Sequence, residues 1–114
     1  MLTLDSLREY GADVNEGLRR CVNNEKFYLS LVKRSVDVNG AAALAEAICS
    51  GDLDRAFGIC HSMKGVFGNL SLTPLLTPVT EMTELLRAKK DADYGAYVEE
   101  ITLQMKKLDD ICSN

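Results

Sequence analysis

The residues whose types and spacing could support chemistry surround the only histidine of the chain. On a helix, residues three, four and seven positions apart share a face. One such stripe combines an imidazole, an ammonium and three glycines without side chains. Its residues are Gly58, His61, Lys64, Gly65 and Gly68. Each helical glycine costs roughly 0.5–1 kcal/mol relative to alanine. One glycine could permit close helix packing while the others are tolerated, but all three lie on the His61 side, which favours an open surface around the imidazole.

An imidazole beside an ammonium can act as a nucleophile toward phosphorus. A phosphoryl-accepting histidine needs a ring nitrogen that faces solvent and a positive charge near the phosphoryl oxygens, and Lys64 at i+3 meets the second need. The phosphoryl donor must also approach in line with the ring, and side chains at i+4 or i+7 would obstruct it. Gly65 and Gly68 leave that path open, which explains their cost in helix propensity.

Other reaction classes have little support in the sequence. The sequence shows no Ser-His-acid order typical of a catalytic triad and no second histidine for a metal pair. No glycine-rich loop precedes Lys64 as in a nucleotide-binding P-loop. A metal site of His61 and Cys60 is disfavoured because adjacent helical residues point about 100° apart and no further ligand lies at i+4. The four cysteines form no Cys-x-x-Cys pair and are expected to be reduced thiols in a cytoplasmic core.

Length and composition predict a single globular domain over residues 1–114. With 46% hydrophobic and 26% charged residues in 114, the chain can bury one core, and disorder is not expected. A net charge of -4 without a basic run argues against nucleic acid as a partner. The chain lacks a signal peptide and an apolar run of membrane-spanning length. We expect a soluble, cytoplasmic protein that binds no membrane, and a free-standing one because it starts at Met1 with capped early helices.

Every long segment has a helical period, so an all-α fold is predicted. The expected helices are 3–10, 14–21, 24–38, 41–49, 53–70, one that starts at 74 or 78 and closes at 89–91, and 94–111. In the third predicted helix, Phe27 and Leu31 lie four residues apart on one apolar face. In the fifth, Leu53 belongs to the apolar stripe that is expected to face the core. His61 lies about 120° from the centre of that stripe, on its flank or outside. Short loops favour an antiparallel up-down four-helix bundle with additional short N-terminal helical segments and a core of about 14–112.

The sequence HSMKG at 61–65, followed by small residues and Asn69-Leu70, resembles the H-x-[apolar]-K-G signature of histidine-containing phosphotransfer (HPt) domains. The similarity extends over roughly residues 14–112, because Gly51-Asp52 before the long helix and the segment after it match the layout of the family. Such domains are antiparallel four-helix bundles that carry phosphate on one histidine between aspartates of receiver domains. The resemblance implies that His61 is the phosphoacceptor, Lys64 the charge-neutralising lysine and Gly65 the access glycine.

The resemblance also implies a phosphorelay carrier of two-component signal transduction that has no ATP site and is not itself an enzyme. Its partners would be the receiver domains of a hybrid sensor kinase or a response regulator. No cofactor of its own is expected, since Mg²⁺ would be carried by the partner receiver domain, and a monomer is expected. The alternative is a helical adaptor that binds a signalling partner without phosphotransfer.

Some positions depart from the pattern of the family. Members often have glycine where Ser71 stands, and alanine or serine where Val66 stands. Many also have a glutamine on the next helix that touches the histidine, whereas the corresponding turn here carries Thr80 and Thr83. We expect Thr83 to make that contact and to serve as a binding residue, as we do for Gly58 and Gly68.

Overall fold

The computed structural model describes residues 1–113, and this part of the chain is all-helical. Its seven α-helices are α1 Leu4–Tyr10, α2 Val14–Arg20, α3 Glu25–Ser35, α4 Val38–Cys49, α5 Leu53–Asn69, α6 Thr73–Arg87 and α7 Tyr94–Ser113. Within residues 1–113 there is no strand, and the predicted all-α class is confirmed. Asn114, the last residue of the expected domain, lies outside the described residues.

The first two helices lie within one residue of their predicted bounds, because α1 begins at Leu4 rather than Thr3 and α2 ends at Arg20 rather than Cys21. Thr3 and Ser6 form a capping box, in which each backbone N–H donates to the other side chain. Gly11 ends α1 in the left-handed region with a φ of 110°. Asp13 then caps α2 by accepting a hydrogen bond from the N–H of Glu16 at 3.2 Å.

The boundary between α3 and α4 lies earlier in the chain than predicted. The predicted third helix spans 24–38, with Asn39-Gly40 as its stop signal, but α3 already ends at Ser35. Asp37 is the reason, because its side chain accepts a hydrogen bond of 2.7 Å from the N–H of Gly40 and so caps α4. Gly40 therefore lies in the first turn of α4, and the expected start at position 41 was wrong.

The start of α6 matches the earlier of the two expected positions. The helix begins at Thr73, with Pro74 in its first turn and Pro78 buried inside the helix. Thr73 itself is helical and is not the cap; Leu72 occupies the N-cap position and makes no side-chain capping bond.

Four helices form a closed ring of contacts around the core. α5 packs against α4 and α6, and α7 packs against the same two helices from the other side. The shorter α1 contacts α2 and α7, and α2 contacts α3. Fully buried side chains of the core include Leu44, Phe67, Leu75, Met82, Ile101 and Met105. Each such side chain contributes about 1.5–3 kcal/mol to stability by leaving water. Burial of Phe67 therefore fixes which face of α5 points inward.

The contacts between α5 and α6 join the end of each helix to the start of the other. Near the end of α5, a Cβ atom at Gly68 would lie 3.7 Å from Cδ1 of Leu76, which belongs to the start of α6. Near the start of α5, the Phe57 ring lies 5.1 Å below the guanidinium carbon of Arg87, which belongs to the end of α6. The two helices are therefore antiparallel neighbours.

The N-terminal helices are tied to the C-terminal end of α5. The Tyr28 hydroxyl of α3 donates to the carbonyl oxygen of Leu70 at 2.9 Å, and the N–H of Asp13 donates to that of Ser71 at 2.9 Å. Gly17 lets the Tyr28 ring lie against α2, because a Cβ atom there would be only 2.6 Å from Cε1 of that ring. These contacts hold α2 and α3 against the C-terminal end of α5.

Three residues assigned to the interior by the sequence pattern lie at the surface instead. Leu53 is the first residue of α5 and is 42% exposed, and Phe27 is 48% exposed because Tyr28 takes the inward position of α3. Cys49, expected among the core thiols, is exposed, whereas Cys21 is buried as expected. No helix within residues 1–113 is long and apolar enough to cross a membrane.

Candidate functional site

His61 lies on the outer side of α5. Asp52 caps the N-terminus of this helix, because its carboxylate accepts a hydrogen bond of 3.1 Å from the N–H of Arg55. Its inner face is buried at Ala56, Cys60, Met63 and Phe67. The helical period therefore turns His61 into solvent, where it is exposed.

An open depression of about 530 Å³ lies beside His61, where α2, α5 and α6 meet. We call it the His61 depression, and its lining residues are Arg20, His61, Lys64, Gly65, Gly68, Asn69, Leu76 and Thr80. The fold thus brings together four of the residues singled out by the sequence: His61, Lys64, Gly65 and Gly68. Gly58 does not line this depression and lies instead in a neighbouring groove with Ser62 and Met63.

The glycines around His61 are not required by close packing. A Cβ atom added at Gly58 or Gly65 meets nothing within 4 Å. At Gly68 it would meet only Leu76, at an ordinary van der Waals distance of 3.7 Å. Helix packing therefore does not explain these residues, and the missing side chains at Gly65 and Gly68 leave the His61 depression open.

The His61 ring is oriented by carbon contacts rather than by hydrogen bonds. It packs on the half-buried Phe57 ring with centroids 5.6 Å apart and an interplanar angle of 32°. The Arg87 guanidinium covers the same Phe57 ring and forms a cation–π contact. Within residues 1–113, neither ring nitrogen of His61 takes part in a hydrogen bond. A nitrogen lone pair is therefore free to act as a nucleophile.

Lys64 is paired with a carboxylate of α6. Its Nζ lies 3.3 Å from Oε1 of Glu84, and Nε of Arg87 lies 3.6 Å from Oε2 of the same residue. The side chains of Lys64 and Glu84 are 38% and 53% exposed. Solvent-exposed pairs of this kind contribute about 0–1 kcal/mol, so Lys64 can exchange Glu84 for a more highly charged anion.

A second cation enters the depression from α2. Nε of Arg20 lies 3.0 Å from Oε1 of Glu16, and Arg19 bonds to the same carboxylate. The hydrogen bond from Arg19, reinforced by that from Arg20, lowers the pKa of Glu16. Among the residues that line the depression, Arg20 and Lys64 are the basic side chains besides His61. In a chain with a net charge of -4, this locally positive surface suits an anion.

Thr83, the expected contact of His61, lies in the core instead. It is 0% exposed, and its hydroxyl donates to the carbonyl oxygen of Val79 at 2.6 Å. The thiol of Cys60 is also buried in this core, and burial raises its pKa to about 11. Thr80, the other threonine of that turn, lines the depression.

The alternative metal site has no geometric support. Cys60 is fully buried while His61 is exposed, so the two side chains lie on different sides of α5. Within residues 1–113 there is no group of three or more His, Cys, Asp or Glu residues that could hold a metal ion.

Several residues of the site were not identified from the sequence. These are Leu76, Glu84 and Arg87, which a helical wheel places on one face of α6 together with Thr80, a residue already singled out from the sequence. The sequence therefore holds the signal for that face but does not show that it lies against the His61 side of α5. No local sequence pattern marked Arg20 as a residue of the site, because its position depends on how α2 packs against the rest of the fold.

No protein-family model matches this chain, and neither a curated protein nor a solved structure is significantly similar to it. The assignment of function therefore depends on the HSMKG sequence at 61–65 and on the geometry around His61.

Proposed function

We propose that this chain is an HPt domain, a phosphorelay carrier that accepts a phosphoryl group on His61 from the aspartyl phosphate of a receiver domain and passes it to the aspartate of another. The observation that carries the proposal is an exposed histidine with free ring nitrogens, beside a depression lined by cations. Open space at Gly65 supports it further, because no packing contact accounts for that glycine.

In the proposed step, a ring nitrogen of neutral His61 attacks the phosphorus of the aspartyl phosphate. A nitrogen–phosphorus bond forms while the bond between phosphorus and the aspartate oxygen breaks, and the electron pair of that bond stays on the released carboxylate. The other ring nitrogen keeps its proton, so the step needs no general base. Transfer to the second receiver domain is the reverse of this step.

Lys64 is the group that assists the transfer. Phosphoryl transfer passes through a loose transition state whose charge lies mainly on the phosphoryl oxygens, so a nearby cation lowers the barrier. Lys64 follows His61 by one turn of α5 and lines the same depression, and its pair with Glu84 is weak enough to be exchanged. Arg20 adds positive charge to the surface that an incoming acidic site would meet.

The proposed architecture is an antiparallel up-down four-helix bundle made by α4 to α7, with α1 to α3 as N-terminal additions. The closed ring of contacts among these four helices and the antiparallel pairing of α5 with α6 support it. We propose a single cytoplasmic domain over residues 1–114 that acts as a monomer. It would need no cofactor of its own, because the receiver domain would carry the Mg²⁺, and no nucleic acid or membrane would take part.

A two-step relay assay tests the proposed function. The chain is incubated with a panel of receiver domains carrying radiolabelled aspartyl phosphate, repurified, and mixed with an unlabelled receiver domain. We expect label on the chain after the first step and on the second receiver domain after the next. Binding of receiver domains without any transfer of label would favour the adaptor hypothesis and contradict the proposal.

A further inference from the structure

We propose that Glu84 is a positioning residue that competes with the phosphoryl group for Lys64 and thereby slows phosphorylation of His61. This inference rests on the proposed function and deepens it. Glu84 belongs to α6 and does not line the His61 depression, yet its Oε1 lies 3.3 Å from Nζ of Lys64, which does. The ammonium that would assist transfer is therefore already engaged by a carboxylate before phosphate arrives.

Glu84 is itself held in place by a second cation. Nε of Arg87 lies 3.6 Å from Oε2 of Glu84, and the Arg87 guanidinium is fixed over Phe57, the ring on which His61 packs. The carboxylate is thus shared by Lys64 and Arg87 at the edge of the site. Of these two cations, Lys64 is the one that lines the His61 depression.

The competition acts on the unphosphorylated state. Once a phosphoryl group with two negative charges reaches His61, it attracts Lys64 more strongly than a single carboxylate does, and repulsion between the two anions disfavours sharing of the ammonium. The Lys64–Glu84 pair therefore stabilises the starting state relative to both the transition state and phospho-His61. Removing the carboxylate raises the rate of phosphate uptake and the fraction of phospho-His61 at equilibrium.

The size of the effect follows from the exposure of the pair. Lys64 and Glu84 are 38% and 53% exposed, which limits the strength of their interaction. Pairs of this kind correspond to rate changes of about two- to fivefold when one partner is neutralised. A change of this size is measurable and leaves the fold intact.

The test compares Glu84→Gln with Glu81→Gln, using phosphoramidate as a small phosphoryl donor that needs no docking. In this reaction the phosphorus–nitrogen bond of the donor breaks, ammonia leaves, and a new bond forms between phosphorus and the His61 ring. Glu81 is exposed on the same helix and has no ion pair within residues 1–113, so its substitution controls for the change in net charge. We expect Glu84→Gln to accelerate uptake about two- to fivefold and Glu81→Gln to leave the rate unchanged.

A Lys64→Ala background distinguishes the proposed role from a direct charge effect. If Glu84 acts by holding Lys64, Glu84→Gln has no effect on the rate of uptake when Lys64 is absent. An equal acceleration with and without Lys64, an equal acceleration by Glu81→Gln, or no acceleration at all would overturn the inference while leaving the proposed function intact. A wild-type chain that accepts phosphate neither from phosphoramidate nor from receiver domains would overturn both.

Discussion

His61 and Lys64 differ in how the fold holds them. The His61 ring lies on Phe57 and keeps its nitrogens free, whereas the Lys64 ammonium is engaged by Glu84 at 3.3 Å. A nucleophile gains from a fixed orientation, because fewer unproductive approaches remain. A charge-neutralising group must instead be able to move onto the phosphoryl oxygens as charge redistributes, and a weak exposed pair permits this.

Substituting Lys64 by alanine tests the division of roles at the residue scale. We expect transfer from a phosphorylated receiver domain to slow about 10- to 100-fold, because a charge that assists the transition state is lost. Binding of the receiver domain should weaken much less. Rapid-quench kinetics and calorimetric titration measure the two quantities, with Lys106→Ala on the exposed face of α7 as the control. Equal losses in rate and affinity would show that Lys64 is only a docking residue.

At the scale of the element, α5 has an inner face that fixes it and an outer face that is left bare. Four buried residues, Ala56, Cys60, Met63 and Phe67, pack the helix into the core. On the outside, Gly65 lowers the intrinsic stability of the helix without any packing contact in return. The arrangement is typical of a functional site, where local stability is given up for access.

Gly65→Gln and Gly58→Gln form a matched pair that tests access. Both glycines are exposed helical residues of α5 with nothing within 4 Å of an added Cβ atom, but only Gly65 lines the His61 depression. Each substitution should raise the free energy of unfolding by about 0.5–1 kcal/mol, as measured by urea denaturation. Phosphate transfer from a receiver domain should fall strongly for Gly65→Gln and much less for Gly58→Gln. Lower stability of Gly65→Gln with normal transfer by the folded protein would contradict the access argument.

The backbone just after α5 adopts a conformation that favours glycine. Ser71, which stands where HPt domains often have glycine, adopts a left-handed backbone conformation with a φ of 55°. Its carbonyl oxygen accepts a hydrogen bond from the N–H of Asp13, so the strained residue also joins α2 to α5. Glycine adopts this conformation without the steric cost of a Cβ atom.

Ser71→Gly should therefore stabilise the protein. We expect a gain of about 0.5–1 kcal/mol in the free energy of unfolding, because relief of left-handed strain exceeds the entropy that glycine adds to the unfolded chain. Phosphate uptake should not change, since Ser71 does not line the His61 depression. Urea denaturation measures the stability, and a loss of stability would show that the buried hydroxyl contributes more than the strain costs.

At the scale of the whole molecule, local sequence signals predicted much of the fold. The helical period identified an all-α chain, Gly11 marked the end of α1 correctly, and Asp13 marked the start of α2 correctly. The predicted α3–α4 boundary was wrong because Asn39-Gly40 was interpreted as the end of a helix, whereas Asp37 caps α4 and places both residues in its first turn.

The candidate site was predictable only as far as it lies on one helix. The spacing of His61, Lys64 and Gly65 gives their common face, but contacts between helices depend on how α2 and α6 dock. For that reason the sequence did not reveal Glu84 as the partner of Lys64. It also assigned the His61 contact to Thr83, which the packing of α6 turns into the core.

Because the fold buries ionisable groups, its free energy of unfolding is expected to fall at alkaline pH. Burial raises the pKa of Tyr28 from 10.0 to about 12 and that of Cys60 from 9.0 to about 11. Because the unfolded chain loses these protons at lower pH than the folded one, stability is fully present below about pH 9 and falls as the pH rises through the folded values. Urea denaturation at about pH 8 and about pH 11 should show this decline.

Tyr28→Phe isolates the contribution of one group to that decline. At neutral pH the variant should lose about 1 kcal/mol, because the hydrogen bond from the Tyr28 hydroxyl to the Leu70 carbonyl is removed. Above about pH 10 its stability should fall less steeply than that of the wild type. An identical decline in the two proteins would show that Tyr28 does not contribute to the pH dependence.

The measurement that tests the central claim most directly compares wild type with His61→Gln after incubation with a receiver domain that carries radiolabelled aspartyl phosphate. Because His61 is exposed, the variant should keep the circular dichroism spectrum and the denaturation midpoint of the wild type. We predict that the wild type takes up label that is stable in base and labile in acid, as expected for phosphohistidine, and that His61→Gln takes up none. Uptake of label by folded His61→Gln would place the acceptor elsewhere and contradict the account.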